Sequence, residues 1–317
     1  MTSKYLQTVK GPVDVDALGL ILPHEHLFTD LRGPLAPGYA CAAPGAVGQA
    51  MQSYLAAAHA AGVTALVECS TVGVGRNIAV LRHLASLTPI HIVAPTGVYR
   101  DAFVPPSIQE MSVADLASLW VEELSEGIDG SEVRAGFIKL AVSDDGPTPL
   151  EVRNLRAAAR ASRLTGAAVA SHTASGALAL RQMEILDAEG MDAERFVWVH
   201  ANLETDTALH REAARRGAYV EFDAVGAPWQ SQPALVIDTL ALIEAGYAEK
   251  ILLSHDAGYY DPSQPDGRPA GEGIRGYTAL AEEFIPALRA SAVADDTVRT
   301  ISVANPGRAF GRSQPRP

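Results

Sequence analysis

The chain has little cysteine. Only Cys41 and Cys69 occur in 317 residues, too few for a disulfide framework, and a reducing compartment, the cytoplasm, fits that usage. No apolar run approaches the ~18 residues that a membrane-spanning helix needs. The opening MTSKYLQTVKGPV also lacks the apolar core of a secretion signal. Positive charge is in deficit, with 25 Lys and Arg against 37 Asp and Glu, a net charge of −12 and a pI near 5.2. A phosphate backbone would be repelled, and no Lys/Arg-rich block offsets the imbalance, so nucleic acid and membrane are both poor partners. Also missing is any linker, low-complexity tract or charge run that would divide the chain.

What is present has a globular balance: 48% hydrophobic residues, 20% charged and a mean hydropathy of +0.08. The length suits one α/β barrel, and a single domain over residues 1–317 is expected. Short Val/Ile/Leu-rich runs alternate with Ala/Leu/Glu/Arg segments at helical spacing, the pattern of repeated β-α units. Eight runs read as strands: 19–26, 64–70, 90–97, 135–142, 167–172, 196–200, 218–223 and 250–256. Several are apolar on both faces, as strands covered by helices should be. Between them lie helical patterns such as 46–62, 76–87, 113–127 and 150–166, with Gly62, Gly127 and Gly166 at positions suited to C-terminal caps. One further helix is expected over 293–311. Eight alternations in one piece predict a closed (β/α)8 TIM barrel rather than an open sheet. Two connections, 27–45 and 257–275, are long, rich in Gly and Pro, and follow C-terminal strand ends, where barrel active sites lie.

The chemistry-bearing residues collect at those strand ends. His24 and His26 stand two apart on an apolar strand, so their side chains share a face at metal-ligand spacing; the plainer reading is a polar pair at a strand end. Lys139, in GFIKLAV, is flanked by apolar residues on a central strand, where an unpaired ammonium is costly. Either a simple salt bridge or carbamylation by carbon dioxide would resolve that cost. His172 ends AAVASH, His200 ends FVWVH and Asp256 ends ILLSHD. A lone histidine at a strand end is more often structural, but five strands ending in His, Lys or Asp put six ligands on one rim. His59, His83, His91 and His210 fall in helical patterns or at a strand start and read as structural. His255 points away from Asp256, toward the helices or behind the aspartate.

LPHEHLF, GFIKL, ASHT, WVHAN and SHD, in this order, together with GPVDVDALG before the HxH strand and the ending VANPGRAFG, resemble the phosphotriesterase-like family of the amidohydrolase superfamily. The similarity runs over nearly the whole chain. It implies a binuclear site in which His24, His26 and Asp256 hold one divalent ion, His172 and His200 the other, and carbamylated Lys139 bridges both. Zinc is the default metal for such nitrogen and oxygen donors, and cobalt, manganese or iron also suit them. Such a pair lowers the pKa of a bridging water, and the resulting hydroxide attacks the substrate while Asp256 moves the proton to the leaving group. The resemblance also implies a homodimer acting on a small molecule.

It does not name the substrate, because the family includes phosphotriesterases, lactonases and amide hydrolases. Tyr99 matches a tyrosine that lactonase members place beside the metals. The sequence departs from the family at Ala224, where relatives carry Arg or His, and at Leu203, where an Asp is absent; Glu204 stands one step further on. The loop 257–275 is polar, unsuited to a long acyl chain. Its Arg268 and Arg275 are candidate anion contacts, and Trp229 is a candidate pocket wall. The expected activity is hydrolysis of a lactone or carboxylic ester of a small polar, anionic or sugar-derived substrate. The alternatives are phosphotriester or amide hydrolysis at the same site, or a non-catalytic small-molecule binder.

Overall fold

The computed structural model describes residues 4–271 and 273–313. A short antiparallel hairpin, Lys4–Thr8 with Gly11–Asp14, opens the fold and is joined by Arg312–Ser313. The barrel follows. Its first strand is Leu20–Phe28 and its second Val63–Glu68. The third is broken into His91–Val93 and Pro95–Val98, at a proline with no N–H to give to a ladder. The fourth to eighth are Phe137–Ala141, Val169–His172, Phe196–Val199, Tyr219–Phe222 and Ile251–Leu253. All paired neighbours in the barrel run parallel. Helices alternate with the strands, as βα crossovers of a parallel sheet require.

Closure is made after a break in the eighth strand. Gly258–Tyr260 pairs with the first strand, Gly258 opposite His26 and Tyr260 opposite Phe28. Between Leu253 and Gly258 two backbone bonds to the first strand remain, Asp256 amide to His24 carbonyl at 3.2 Å and His26 amide to Ala257 carbonyl at 3.0 Å, and the Glu25 side chain adds to them: one oxygen accepts from the His255 amide at 3.0 Å and the other from the Ala257 amide at 3.1 Å. The sequence reading expected an unbroken eighth strand followed by loop. The interruption lies where the His255 and Ala257 amides turn to the Glu25 carboxylate.

Alternation along each strand sorts the core into two layers. Ile138 and Leu140 pack outward under the helices, whereas Phe137 faces the barrel interior with Ile21, Ala65, Val67, Ala170, Val197 and Leu252. Leu6 and Phe310 belong to the interior layer, Phe310 meeting Phe137 edge-on at 5.2 Å. Lys139 lies two residues after Phe137 and so shares its inward face.

Helix ends mostly follow the local chemistry. Pro149–Thr165 opens with a reciprocal Thr148–Glu151 capping box and ends on Gly166 at φ +72°. Gly127 does not act as such a cap; a Cβ there would collide with the Ser131 carbonyl, so close backbone approach explains the glycine. The expected helix over 293–311 is Asp295–Arg299, a π-turn Thr300–Ala304 and Asn305–Phe310. No described helix is long and apolar enough to cross a membrane.

Candidate metal centre

At the C-terminal ends of the barrel strands, the six residues singled out by sequence line one cavity of about 210 Å³: His24, His26, Lys139, His172, His200 and Asp256. Tyr99, Cys69 and Tyr259 share its wall. Three wall residues without a glycine's freedom sit at positive φ: His200 at +64°, Asp256 at +47° and Tyr259 at +102°. Such left-handed backbone is held only where surroundings over-determine it, and its concentration here is typical of a functional site.

Three imidazoles have Nδ1 tied from behind. His24 Nδ1 meets Glu221 Oε1 at 2.8 Å, His26 Nδ1 meets Ser70 Oγ at 2.7 Å, and His200 Nδ1 meets Asp223 Oδ1 at 2.8 Å. Asp223 also accepts from the His200 amide at 2.8 Å. Fixing Nδ1 this way orients the ring and leaves Nε2 facing the cavity, free to coordinate. Indeed Nε2 of His26 and of His24 lie 3.0 Å and 3.4 Å from Asp256 Oδ1. Nitrogen and oxygen atoms of His24, His26 and Asp256 all fall within 4.8 Å of one another, as do those of His24, His200 and Asp223. The His172 and His200 rings are 4.4 Å apart.

Electrostatics sort the carboxylates. Burial works to raise Asp256, but His24, His26 and His200 hold it well below the usual carboxylate range. Burial likewise opposes charge on Asp223, which the His200 and His24 contacts keep low. For Glu221 burial prevails, pushing it up to about 7 against its bond to His24. Burial and the neighbouring His200, Lys139 and Arg100 depress His172 well below an ordinary histidine.

Lys139 is 2% exposed, and among the described residues no carboxylate forms an ion pair with it. The simple salt bridge entertained from sequence is therefore absent. The four imidazoles and the ionised carboxylate that share the cavity with Lys139 supply the nitrogen and oxygen donors that suit divalent cations of borderline hardness.

The remaining expected contacts divide. Tyr99 does reach the site, its hydroxyl 3.2 Å from His172 Nδ1. Arg275 does not offer a fork to the cavity: its Nη2 donates to the carbonyls of His255 and Asp256 at 2.7 and 2.6 Å, bracing the loop from behind. Arg268 borders a separate, open depression with Tyr54 and Tyr260, and Trp229 is 58% exposed; neither lines the metal cavity. Glu204 does not stand in for the absent aspartate, because its oxygens accept from the amides of Gly176, Thr205 and Asp206. His255 is buried behind the rim, as expected. Sequence reasoning passed over Glu221, Cys69 and Arg100 as site residues. Glu221 was findable, since it stands two residues before Asp223 on a strand, the same spacing that drew attention to His24 and His26.

Fold and site together define a barrel metallohydrolase, with a cluster of imidazoles and carboxylates at the C-terminal rim of a (β/α)8 barrel. Comparison with known proteins bears this out. The profile of the Phosphotriesterase family matches residues 4–310. The chain is 32% identical over 327 residues to the phosphotriesterase homology protein of Mycobacterium tuberculosis, covering 97% of this chain and 98% of that one. Among solved structures it is similar to one described as molecular engineering of organophosphate hydrolysis activity from a weak promiscuous lactonase template (TM-score 0.85, 31% identity, 98% and 100% of the two chains). It is also similar to a triple mutant of the organophosphorus hydrolase from Deinococcus radiodurans (TM-score 0.86, 31% identity, 98% of each chain). The chain belongs to the phosphotriesterase family. It is accordingly a metal-dependent hydrolase of small molecules, from a family whose enzymes use a binuclear divalent centre, and the non-catalytic alternative falls.

Proposed function

We propose that the chain opens a lactone, or cleaves a carboxylic ester, of a small polar substrate. The observation that carries this reading is the convergence of His24, His26, Lys139, His172, His200, Asp256 and Tyr99 on one cavity. In this reading His24, His26 and Asp256 would hold one divalent ion, His172 and His200 would hold the other, and Lys139, once carbamylated, would supply oxygen donors to both. Carbamylation replaces a buried ammonium with an anionic oxygen donor, which removes the cost of the unpaired charge. Zinc suits the donor set best, with cobalt, manganese or iron as substitutes.

When bound, the ions supply an activated water and polarise the acyl oxygen. The chain's own groups do the rest. Asp256, ionised and held between His24 and His26, accepts the proton from the attacking water and hands it to the leaving alkoxide. The Tyr99 hydroxyl, beside His172, steers the carbonyl. At about 210 Å³ the cavity is smaller than a typical ligand pocket, which supports a compact substrate. The reading further treats residues 1–317 as one domain acting as a cytoplasmic homodimer.

Organophosphate and amide hydrolysis at the same site are the rivals; the lactonase template among the structural neighbours supports the lactone, and the organophosphorus hydrolase among them supports the phosphotriester equally. A zinc-loaded panel of lactones, aryl esters, N-acyl compounds and aryl phosphotriesters tests this. Highest kcat/KM on a lactone or ester is expected. A phosphotriester or amide turned over faster than every lactone and ester would overturn the assignment.

A further inference from the structure

Both ring nitrogens of His172 are occupied. Nδ1 lies 3.2 Å from the Tyr99 hydroxyl, and Nε2 lies 3.1 Å from Arg100 Nη2. A guanidinium only donates, so Nε2 accepts from Arg100 and the ring proton sits on Nδ1, given to the Tyr99 oxygen. This arrangement is incompatible with His172 holding anything else. A ligand on Nε2 displaces the guanidinium directly. A ligand on Nδ1 moves the ring proton to Nε2, where it meets the N–H of Arg100 head-on. Whichever nitrogen coordinates, Arg100 must leave His172.

Little else holds the guanidinium. Its Nη1 is 3.6 Å from Asp144, itself 61% exposed; Nη2 is 3.4 Å from the Tyr99 hydroxyl; Nε is buried with no partner. It lies over the Tyr99 ring, 5.3 Å from the centroid. The backbone beneath is pinned, with the Arg100 carbonyl accepting from the Phe103 amide at 2.8 Å and the Asp101 amide donating to Glu151 at 3.0 Å. The side chain can therefore pivot while its base stays fixed.

We infer that Arg100 is a specificity residue that binds an anionic oxygen group, a carboxylate, sulfonate or phosphate, carried by the substrate beside Tyr99. The inference rests on the hydrolase reading above and narrows it to anionic substrates. A planar fork of donors released beside Tyr99 and His172, two residues that line the cavity, matches such a group, and the pairing is charge-assisted. Of the arginines that sequence favoured for this task, Arg275 turns its Nη2 to two backbone carbonyls and Arg268 lines a separate depression.

The test compares two lactones of one ring size, one bearing a carboxylate and the other its carboxamide, on zinc-loaded wild type, Arg100→Met and Arg100→Lys. In Arg100→Met the KM for the carboxylate should rise roughly ten- to a hundredfold with kcat little changed, while the carboxamide is unaffected. Arg100→Lys, which keeps charge without the fork, should fall between. Sulfonate and phosphate versions of the side group then identify the oxyanion preferred. Equal effects on both lactones, or none on either, overturn the proposal. Should wild type hydrolyse neither lactone, the lactonase reading fails separately, and calorimetric titration with succinate still decides Arg100: weaker binding to Arg100→Met upholds it, unchanged binding overturns it. Zinc content and thermal midpoint matching wild type show that the variants are folded.

Discussion

The Glu25 carboxylate and the His255 imidazole, both buried, lie 2.6 Å apart, and together they lock the end of the eighth barrel strand to the first. His255 Nε2 accepts from the Leu280 amide at 2.9 Å, so its Nδ1 carries the proton that Glu25 receives. Glu25 accepts as well from Ser254 Oγ and from the amides of His255 and Ala257. Because Glu25 sits between His24 and His26, with Asp256 next to His255, this single carboxylate sets where two facing parts of the metal rim stand.

Glu25→Ala leaves those buried donors without an acceptor. A loss of about 3–5 kcal/mol in unfolding free energy is expected, with a smaller loss for Glu25→Gln, whose amide oxygen keeps part of the set. Urea denaturation of both variants checks this. Glu25→Ala as stable as wild type would show that the contacts contribute nothing.

Asp223 and Glu221 hold Nδ1 of His200 and His24. Asp223→Asn should weaken binding of the ion at His200 by roughly ten- to a hundredfold, as loss of such supporting partners does elsewhere. Competition against a chelator measures this. Unchanged affinity would mean that the imidazole is oriented by packing alone.

Asp256→Asn should retain the fold and lower kcat/KM on the best substrate by roughly 10²–10⁴, since an amide cannot take the proton. Turnover equal to wild type would remove Asp256 from proton transfer.

His210, whose hydrogen bond reaches the backbone next to His200, gives a pH dependence of stability. It is buried, its Nε2 donates to the Ala201 carbonyl at 2.8 Å, its Nδ1 has no partner, and burial lowers its pKa. Charging it is harder in the folded chain than in the unfolded one, so below about pH 6.5 the unfolded state binds more protons and stability falls. Urea midpoints between pH 7.5 and 5.5 should drop more for wild type than for His210→Gln. Parallel curves would contradict the assignment.

Much of this was legible in the sequence because it rests on two periodicities. Alternating β and α segments implied the barrel, residue spacing of two put His24 and His26 on one face, and the apolar flanks of Lys139 marked its burial. What escaped notice depends on contacts between segments distant in the chain. Nothing local to Glu25 shows that it faces His255, 230 residues away, and nothing local to Arg100 shows that it meets His172. The three arginines make the same point: loop composition favoured Arg268 and Arg275, but loop composition does not say which way a long side chain turns. The N-terminal hairpin escaped because its short strands give too weak a pattern to stand out.

The proposed mechanism requires six side chains to share two ions. Anomalous diffraction from crystals of the zinc-loaded protein, recorded on both sides of the zinc edge, tests it most directly. The account predicts two peaks in the cavity, one against His24, His26 and Asp256, the other against His172 and His200, joined by density extending from Lys139 Nζ by one carboxylate. A single peak, or Lys139 in contact with neither, would contradict it.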